Sequence, residues 1–205
     1  GKLRSQPIIG VISRLVNQKG FDLLTEIMDE LMKKELGFVI LGTGDPEYER
    51  FFRQIAKRYP EKAGVKIAYD SNLAHKIEAG ADMFLMPSLY EPCGLNQIFS
   101  LKYGTVPIVR ATGGLDDTIV DYTTDTRKGT GFKFKHYRAN HLLRRVVDAL
   151  SVYQNKERWK QLMLHGMKAD FSWERSAREY GRLYKRALAK ARKEHEKNRG
   201  VRAHI

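Results

Sequence analysis

Two cations and one carboxylate are the residues best suited to chemistry in this sequence. Arg14 and Lys19 lie in Ser13-Arg14-Leu15-Val16-Asn17-Gln18-Lys19-Gly20, where a planar guanidinium fork and an ammonium point charge precede a glycine that can open a helix. Such a set suits a phosphate group, because helix-start amides add to the positive potential. No phosphate motif of fixed spacing is matched, so solvated loop charges are the alternative reading. Glu91 begins Glu91-Pro92-Cys93-Gly94-Leu95-Asn96-Gln97, a rigid turn whose carboxylate can hold hydroxyls and whose N–H groups can hold oxygen atoms. Equally, Glu91 can be an ordinary helix-start charge stabilised by the dipole. Cys93 reads as a small buried apolar residue, since no histidine lies close in sequence to activate it.

These segments each follow a short apolar run. Ile8 to Ile12, Phe38 to Leu41, Val65 to Ala68, Met83 to Met86 and Val106 to Val109 are too uniformly apolar to alternate, as expected for parallel strands covered on both faces. Helical segments are expected between them, at Phe21 to Lys34, Glu47 to Tyr59, Leu73 to Gly80 and Leu95 to Tyr103. In the first, Leu23, Leu24, Ile27, Met28 and Leu31 recur at helical spacing. The alternation predicts a doubly wound α/β sheet of Rossmann-like type. Asp45 is expected to cap the helix that Pro46 opens, and Ser172 the one beginning at Trp173. All prolines lie at or before Pro107, so Asn140 to Tyr153, Glu157 to Leu164 and a long C-terminal stretch from Trp173 to about Glu196 read as helices.

In such a sheet, ligands bind at the carboxyl ends of the strands. Four of those ends carry glycine: Gly20, the pair Gly42 and Gly44, Gly94, and the pair Gly113 and Gly114. Together they point to one crevice. Glu47 stands where a dinucleotide fingerprint needs its third glycine, which disfavours a nicotinamide dehydrogenase. No two histidines are three or four apart, so a helical zinc motif is absent, as are a nucleophile elbow and a Walker A sequence.

Composition narrows the classes further. The 205 residues are 42% hydrophobic and 30% charged, which excludes global disorder and fits one domain with a sizeable core. A single cysteine excludes an internal disulfide. No apolar run reaches the ~20 residues of a membrane span and no signal-peptide pattern opens the chain, so a soluble, intracellular protein is expected. The net charge of +13 invites a nucleic-acid reading. However, the residues from Arg175 onward hold 11 basic and three acidic side chains, +8 in all. That tail has few aromatics, so a solvated helix face is expected and no nucleic-acid partner. The chain starts abruptly without Met, which suggests an excised domain.

The loops quoted above, with Leu41-Gly42-Thr43-Gly44-Asp45-Pro46, Lys102-Tyr103-Gly104-Thr105-Val106-Pro107, Thr112-Gly113-Gly114-Leu115-Asp116-Asp117-Thr118 and Asp170-Phe171-Ser172-Trp173, resemble in order and spacing the C-terminal domain of starch and bacterial glycogen synthases. The resemblance covers about Pro7 to Leu188. It implies residues 1–188 as a GT-B donor-nucleotide domain, 189–205 as a basic tail, and an N-terminal GT-B domain absent from this chain. It also implies a retaining transfer of glucose from ADP-glucose or UDP-glucose to the non-reducing end of an α-1,4-glucan, the alternatives being another GT-B retaining transferase of sucrose-synthase type or a non-catalytic nucleotide-sugar-binding module. By position, Arg14 and Lys19 match the diphosphate-binding pair and Glu91 the carboxylate on the donor glucose. Cys93, Gly94, Leu95 and Asn96 match the loop near sugar and phosphate, and Tyr69 the aromatic against the base. The resemblance implies no cofactor and no metal, the nucleotide sugar being a substrate, and no membrane partner. It places the protein in the bacterial cytoplasm, with a plastid as the alternative. Phe99 stands where sucrose-synthase-like transferases carry a second glutamate, leaving ribose recognition unassigned. Without its other half, the chain is expected to bind donor and catalyse little.

Overall fold

The computed structural model describes residues 6–202; for 194 and 196–202 the description extends to the helical backbone alone. Residues 1–5 and the end of the basic tail at 203–205 lie outside the described residues. Six parallel strands form one sheet in the order β3-β2-β1-β4-β5-β6. They are β1 (Ile8–Ile12), β2 (Gly37–Gly42), β3 (Ala63–Ile67), β4 (Met83–Met86), β5 (Val106–Arg110) and β6 (Phe132–Phe134). The helices are α1 (Phe21–Met32), α2 (Pro46–Arg58), α3 (Ser71–Gly80), α4 (Asn96–Tyr103), α5 (Gly113–Thr118), α6 (Ala139–Gln154), α7 (Lys156–Lys168) and α8 (Trp173–Arg202).

The chain winds outward from β1 to β3, returns to pair β4 with β1, and winds outward again to β6. Adjacent β1 and β4 are therefore the switch point, where the following loops diverge and leave a crevice. Burial explains the central strands: Ile9, Phe38, Ile40, Met83, Phe84, Ile108 and Val109 are fully buried. On one side Phe52 of α2 packs edge-on to Phe21 at 5.7 Å and stacks on Phe38 at 6.2 Å. The α1 residues picked out by helical spacing are all buried.

Three local readings change. β3 starts at Ala63 rather than Val65, and as an edge strand it alternates between buried and exposed positions instead of being covered on both faces. Asp45 occupies the position before α2 but its side chain makes no cap bond. That loop is fastened instead by Glu49, whose Oε1 accepts from Thr43 Oγ1 at 2.7 Å and Gly44 N at 3.2 Å. These bonds, with Arg53, hold the Glu49 carboxyl below its usual range. Finally, β6 was not foreseen, because Phe-Lys-Phe is too short to show a period.

A first compact unit spans Gly1–Ala169 and a second Asp170–Ile205. The second is the α8 helix, opened by Ser172, whose Oγ accepts from Arg175 N at 3.3 Å as the sequence suggests. It is continuous across position 188. Arg178, Arg182, Lys185, Arg186, Lys190 and Lys193 are exposed.

Candidate functional site

The loops after β1 and β4 are tied to each other before any side-chain chemistry enters. Leu89 N donates to Gln18 O at 2.9 Å, and Gln18 Nε2 to Tyr90 O at 3.3 Å. Gly20 sits at φ +79°, and a Cβ there would lie 2.1 Å from Pro87 O. Only glycine permits both the turn and the contact. Behind the β4 loop, Gly114 N donates to Glu91 O at 3.0 Å. A Cβ on Gly114 would lie 2.0 Å from Cys93 O, so the loop rests directly on the α5 backbone.

This scaffold brings Lys19 Nζ within 2.6 Å of Glu91 Oε2, with side chains 19% and 9% exposed. Ser88 Oγ donates to the same oxygen at 3.3 Å. Two residues 72 positions apart thus form one partly desolvated ion pair, in which each charge fixes the other's orientation. Arg110 supports the approach to this pair: Nε donates to Ser88 O at 2.7 Å, another guanidinium nitrogen bonds Leu89 O, and the group lies 5.6 Å from the Tyr137 ring centre. Burial draws Arg110 below its ordinary pKa.

Two adjoining cavities open at the strand ends. One, of about 230 Å³, is lined by Lys19, Ser88, Glu91, Gly94 and Leu95. The other, of about 320 Å³, is lined by Leu41, Ala68, Tyr69, His75, Glu78 and Phe99. Ile12, Ser13, Arg14 and Asn96 belong to both walls, which places Arg14 at the junction. The Asn96 side chain is used structurally, donating from Nδ2 to Ile12 O at 3.1 Å. Among the described residues, no group of three or more His, Cys, Asp or Glu side chains is arranged to hold a metal ion.

Of the site residues read from sequence, Arg14, Lys19, Glu91, Gly94, Leu95 and Asn96 meet around the smaller cavity, and Tyr69 stands 91% exposed at the larger. Cys93 is a correction. It is exposed rather than buried, and its side chain lines neither cavity. The reason is local: the Cys93 carbonyl accepts from Gln97 Nε2 at 3.0 Å and packs close against Gly114, which turns Sγ outward.

Gln97 is itself fully buried and donates from Nε2 to Cys93 O and Gly94 O, each at 3.0 Å, and to Thr118 Oγ1 at 3.3 Å. Gln97→Leu is expected to cost about 1–3 kcal/mol, because the partly buried Cys93 and Gly94 carbonyls lose their donor. Urea denaturation tests this; an unchanged midpoint would show the loop to be held by backbone contacts alone.

The larger cavity also contains groups to which sequence reasoning gave no role. Ser71, Ala74, His75 and Glu78 line it from α3; their spacing of three, four and seven puts them on one helix face, but nothing in the sequence marks that face as enclosed. Glu78 is 2% exposed as a residue, and its Oε2 lies 3.1 Å from His75 Nδ1. Burial raises the Glu78 pKa, with His75 opposing. A carboxyl whose folded pKa exceeds its unfolded value binds more protons when folded, so its contribution to stability declines as pH rises between the two. The neutral Glu78→Gln chain is therefore expected to gain stability relative to the parent as pH rises above the ordinary carboxylate range. Parallel urea-midpoint curves for the two chains would contradict that.

The strand order and the switch-point crevice define a doubly wound, Rossmann-like α/β domain of parallel strands. The chain belongs to the glycosyl transferases group 1 family, whose model matches residues 1–162. It is 55% identical over 181 residues to a glycogen synthase of Koribacter versatilis, covering 88% of this chain and 37% of that protein. To the glycogen synthase of Thermotoga maritima it is 54% identical over 184 residues, covering 89% and 38%. It thus spans less than two fifths of the length of these relatives. Among solved structures, the catalytic domain of starch synthase IV from Arabidopsis thaliana, bound to ADP and acarbose, matches with a TM-score of 0.80 at 34% identity, over 90% of this chain and 39% of that one.

Proposed function

We propose that this chain is the donor-binding half of a retaining glucosyltransferase of the glycogen and starch synthase type. In this reading, glucose passes from ADP-glucose or UDP-glucose to the non-reducing end of an α-1,4-glucan, and a second, N-terminal GT-B domain supplies the acceptor contacts. The observation that carries the reading is the placement of Arg14 at the junction of the two cavities, beside the Lys19–Glu91 pair. The nucleoside occupies the larger cavity against Tyr69, the diphosphate spans the junction, and glucose lies in the smaller cavity toward Glu91.

Cleavage of the sugar–phosphate bond builds negative charge on the departing diphosphate. Arg14, Lys19 and the first amides of α4 are preorganised to receive it. Glu91 accepts hydrogen bonds from glucose hydroxyls, and its own orientation is kept by Lys19 and Ser88. Gly94 and Leu95 bring the loop backbone close to sugar and phosphate, while Cys93 contributes through its backbone. The nucleotide sugar is a substrate, so the reading invokes no cofactor. Phe99 in the cavity wall favours this type over sucrose-synthase-like enzymes, for which a glutamate is expected there. No helix of the described residues is long and apolar enough to cross a membrane, and the bacterial relatives favour the cytoplasm over a plastid.

Calorimetric titration of the chain with ADP, UDP and ADP-glucose tests the reading, followed by assay of a full-length protein carrying it. Nucleotide binding is expected with little turnover by the chain alone. Failure of all three to bind would overturn the donor-domain assignment.

A further inference from the structure

The larger cavity has walls suited to a flat base. Ile12, Leu41, Ala68, Ala74 and Phe99 supply apolar surface, and Tyr69 offers a ring face at the rim. Several of its polar side chains are already committed to the protein. Thr43 donates to Glu49, Asp70 caps α3 by accepting from Leu73 N at 2.9 Å, and Asn96 donates to Ile12 O.

Glu78 is different. It sits two turns into α3, its side chain is 3% exposed, and it lines this cavity. His75 bonds its Oε2 and is itself steadied by aromatic rings, Phe99 at 6.0 Å and Tyr103 at 6.4 Å between centres. A carboxylate has been placed against an apolar chamber and oriented from one side.

We infer that the His75–Glu78 pair is the base-reading element of this cavity, selecting a nucleotide whose base carries an exocyclic amine over one that presents a carbonyl at that edge. The inference rests on the donor-nucleotide reading above and adds the choice of base to it. At a pH well above the ordinary carboxylate range, where the raised Glu78 carboxyl is ionised, it accepts hydrogen bonds and donates none, and the calorimetric comparison is made there. An adenine amine offers it N–H donors, whereas the carbonyls of uracil or hypoxanthine would direct a second set of lone pairs at the carboxylate. Beside a carboxylate that is only 3% exposed, that mismatch leaves polar groups unpaired on both sides. His75 acts as the positioning residue, since its ring holds Oε2 and leaves the rest of the carboxylate to the base.

Calorimetry with the full chain tests this, using ADP, UDP and inosine diphosphate, in which a carbonyl replaces the amine on the same ring system. Inorganic pyrophosphate probes the phosphate end alone. The unsubstituted chain is expected to bind ADP at least about tenfold more tightly than inosine diphosphate, a comparison that needs no variant. Glu78→Met, similar in length but with only a weakly accepting thioether in place of the carboxylate, is expected to bring that ratio close to one while binding pyrophosphate as before. Equal binding of ADP and inosine diphosphate by the unsubstituted chain, or full preference retained by Glu78→Met, would overturn the base-reading role and leave the donor reading intact. If the unsubstituted chain binds neither the nucleotides nor pyrophosphate, the donor reading falls and takes this inference with it.

Discussion

Alanine at Lys19 in a full-length enzyme is expected to lower kcat by about 10²–10³-fold, the usual scale for losing one preorganised group that stabilises developing charge. Two effects combine. The departing diphosphate loses a fixed cation, and Glu91, 9% exposed, loses the ammonium 2.6 Å away that orients it. Arg14→Ala is expected to fall on the same scale through the first effect alone, because Arg14 stands at the junction of the cavities and forms no part of the Lys19–Glu91 pair. Steady-state kinetics with urea midpoints for each variant separates chemistry from folding. Near-normal kcat in both variants would remove the two cations from the mechanism.

A large effect on stability is expected from Gly42→Ala. A Cβ at that position would lie 1.9 Å from Ser13 O, a backbone atom at the end of the neighbouring strand. No side-chain rotation relieves such a contact, so β1 and β2 must separate where their register Ile12↔Leu41 leads into the site. Overpacking of this kind costs about 1–3 kcal/mol, and the displaced Ser13 and Arg14 should weaken nucleotide binding as well. Gly80 provides the control: at the end of α3 nothing lies within 4 Å of an added Cβ. Gly80→Ala is expected to be neutral or stabilising, by up to about 1 kcal/mol. Equal urea midpoints for Gly42→Ala and Gly80→Ala would show that the close approach is not what demands glycine.

Much of the fold is legible because its determinants are local. The runs Ile8 to Ile12 and Met83 to Met86 announce buried strands, and Leu23 through Leu31 announce a helix by spacing alone. Strand order is not written in any one segment, but the alternation of strand and helix restricts it to doubly wound arrangements. β6 and α5 are too short to carry a period, and their stability comes from pairing with β5 and from the Glu91 loop. The site divides in the same way. Arg14, Lys19 and Glu91 follow apolar runs in sequence, so the strand-end rule finds them. That Lys19 and Glu91 form an ion pair depends on β1 and β4 being neighbours, which only the switch in winding direction creates. Cys93 misled because residue type suggests burial, whereas the carbonyl contacts of its loop turn the thiol outward. Glu78 was overlooked because a charged residue on an otherwise ordinary helix carries no local sign of being enclosed.

The close backbone approaches described above also have a consequence in time. Pro87 against Gly20, Ser13 against Gly42 and Cys93 against Gly114 leave no side chains between successive strand ends to act as hinges. Loops joined in this way open as one cooperative unit rather than as separate flaps. The rim of the site therefore behaves as one wall rather than as a set of independent flaps.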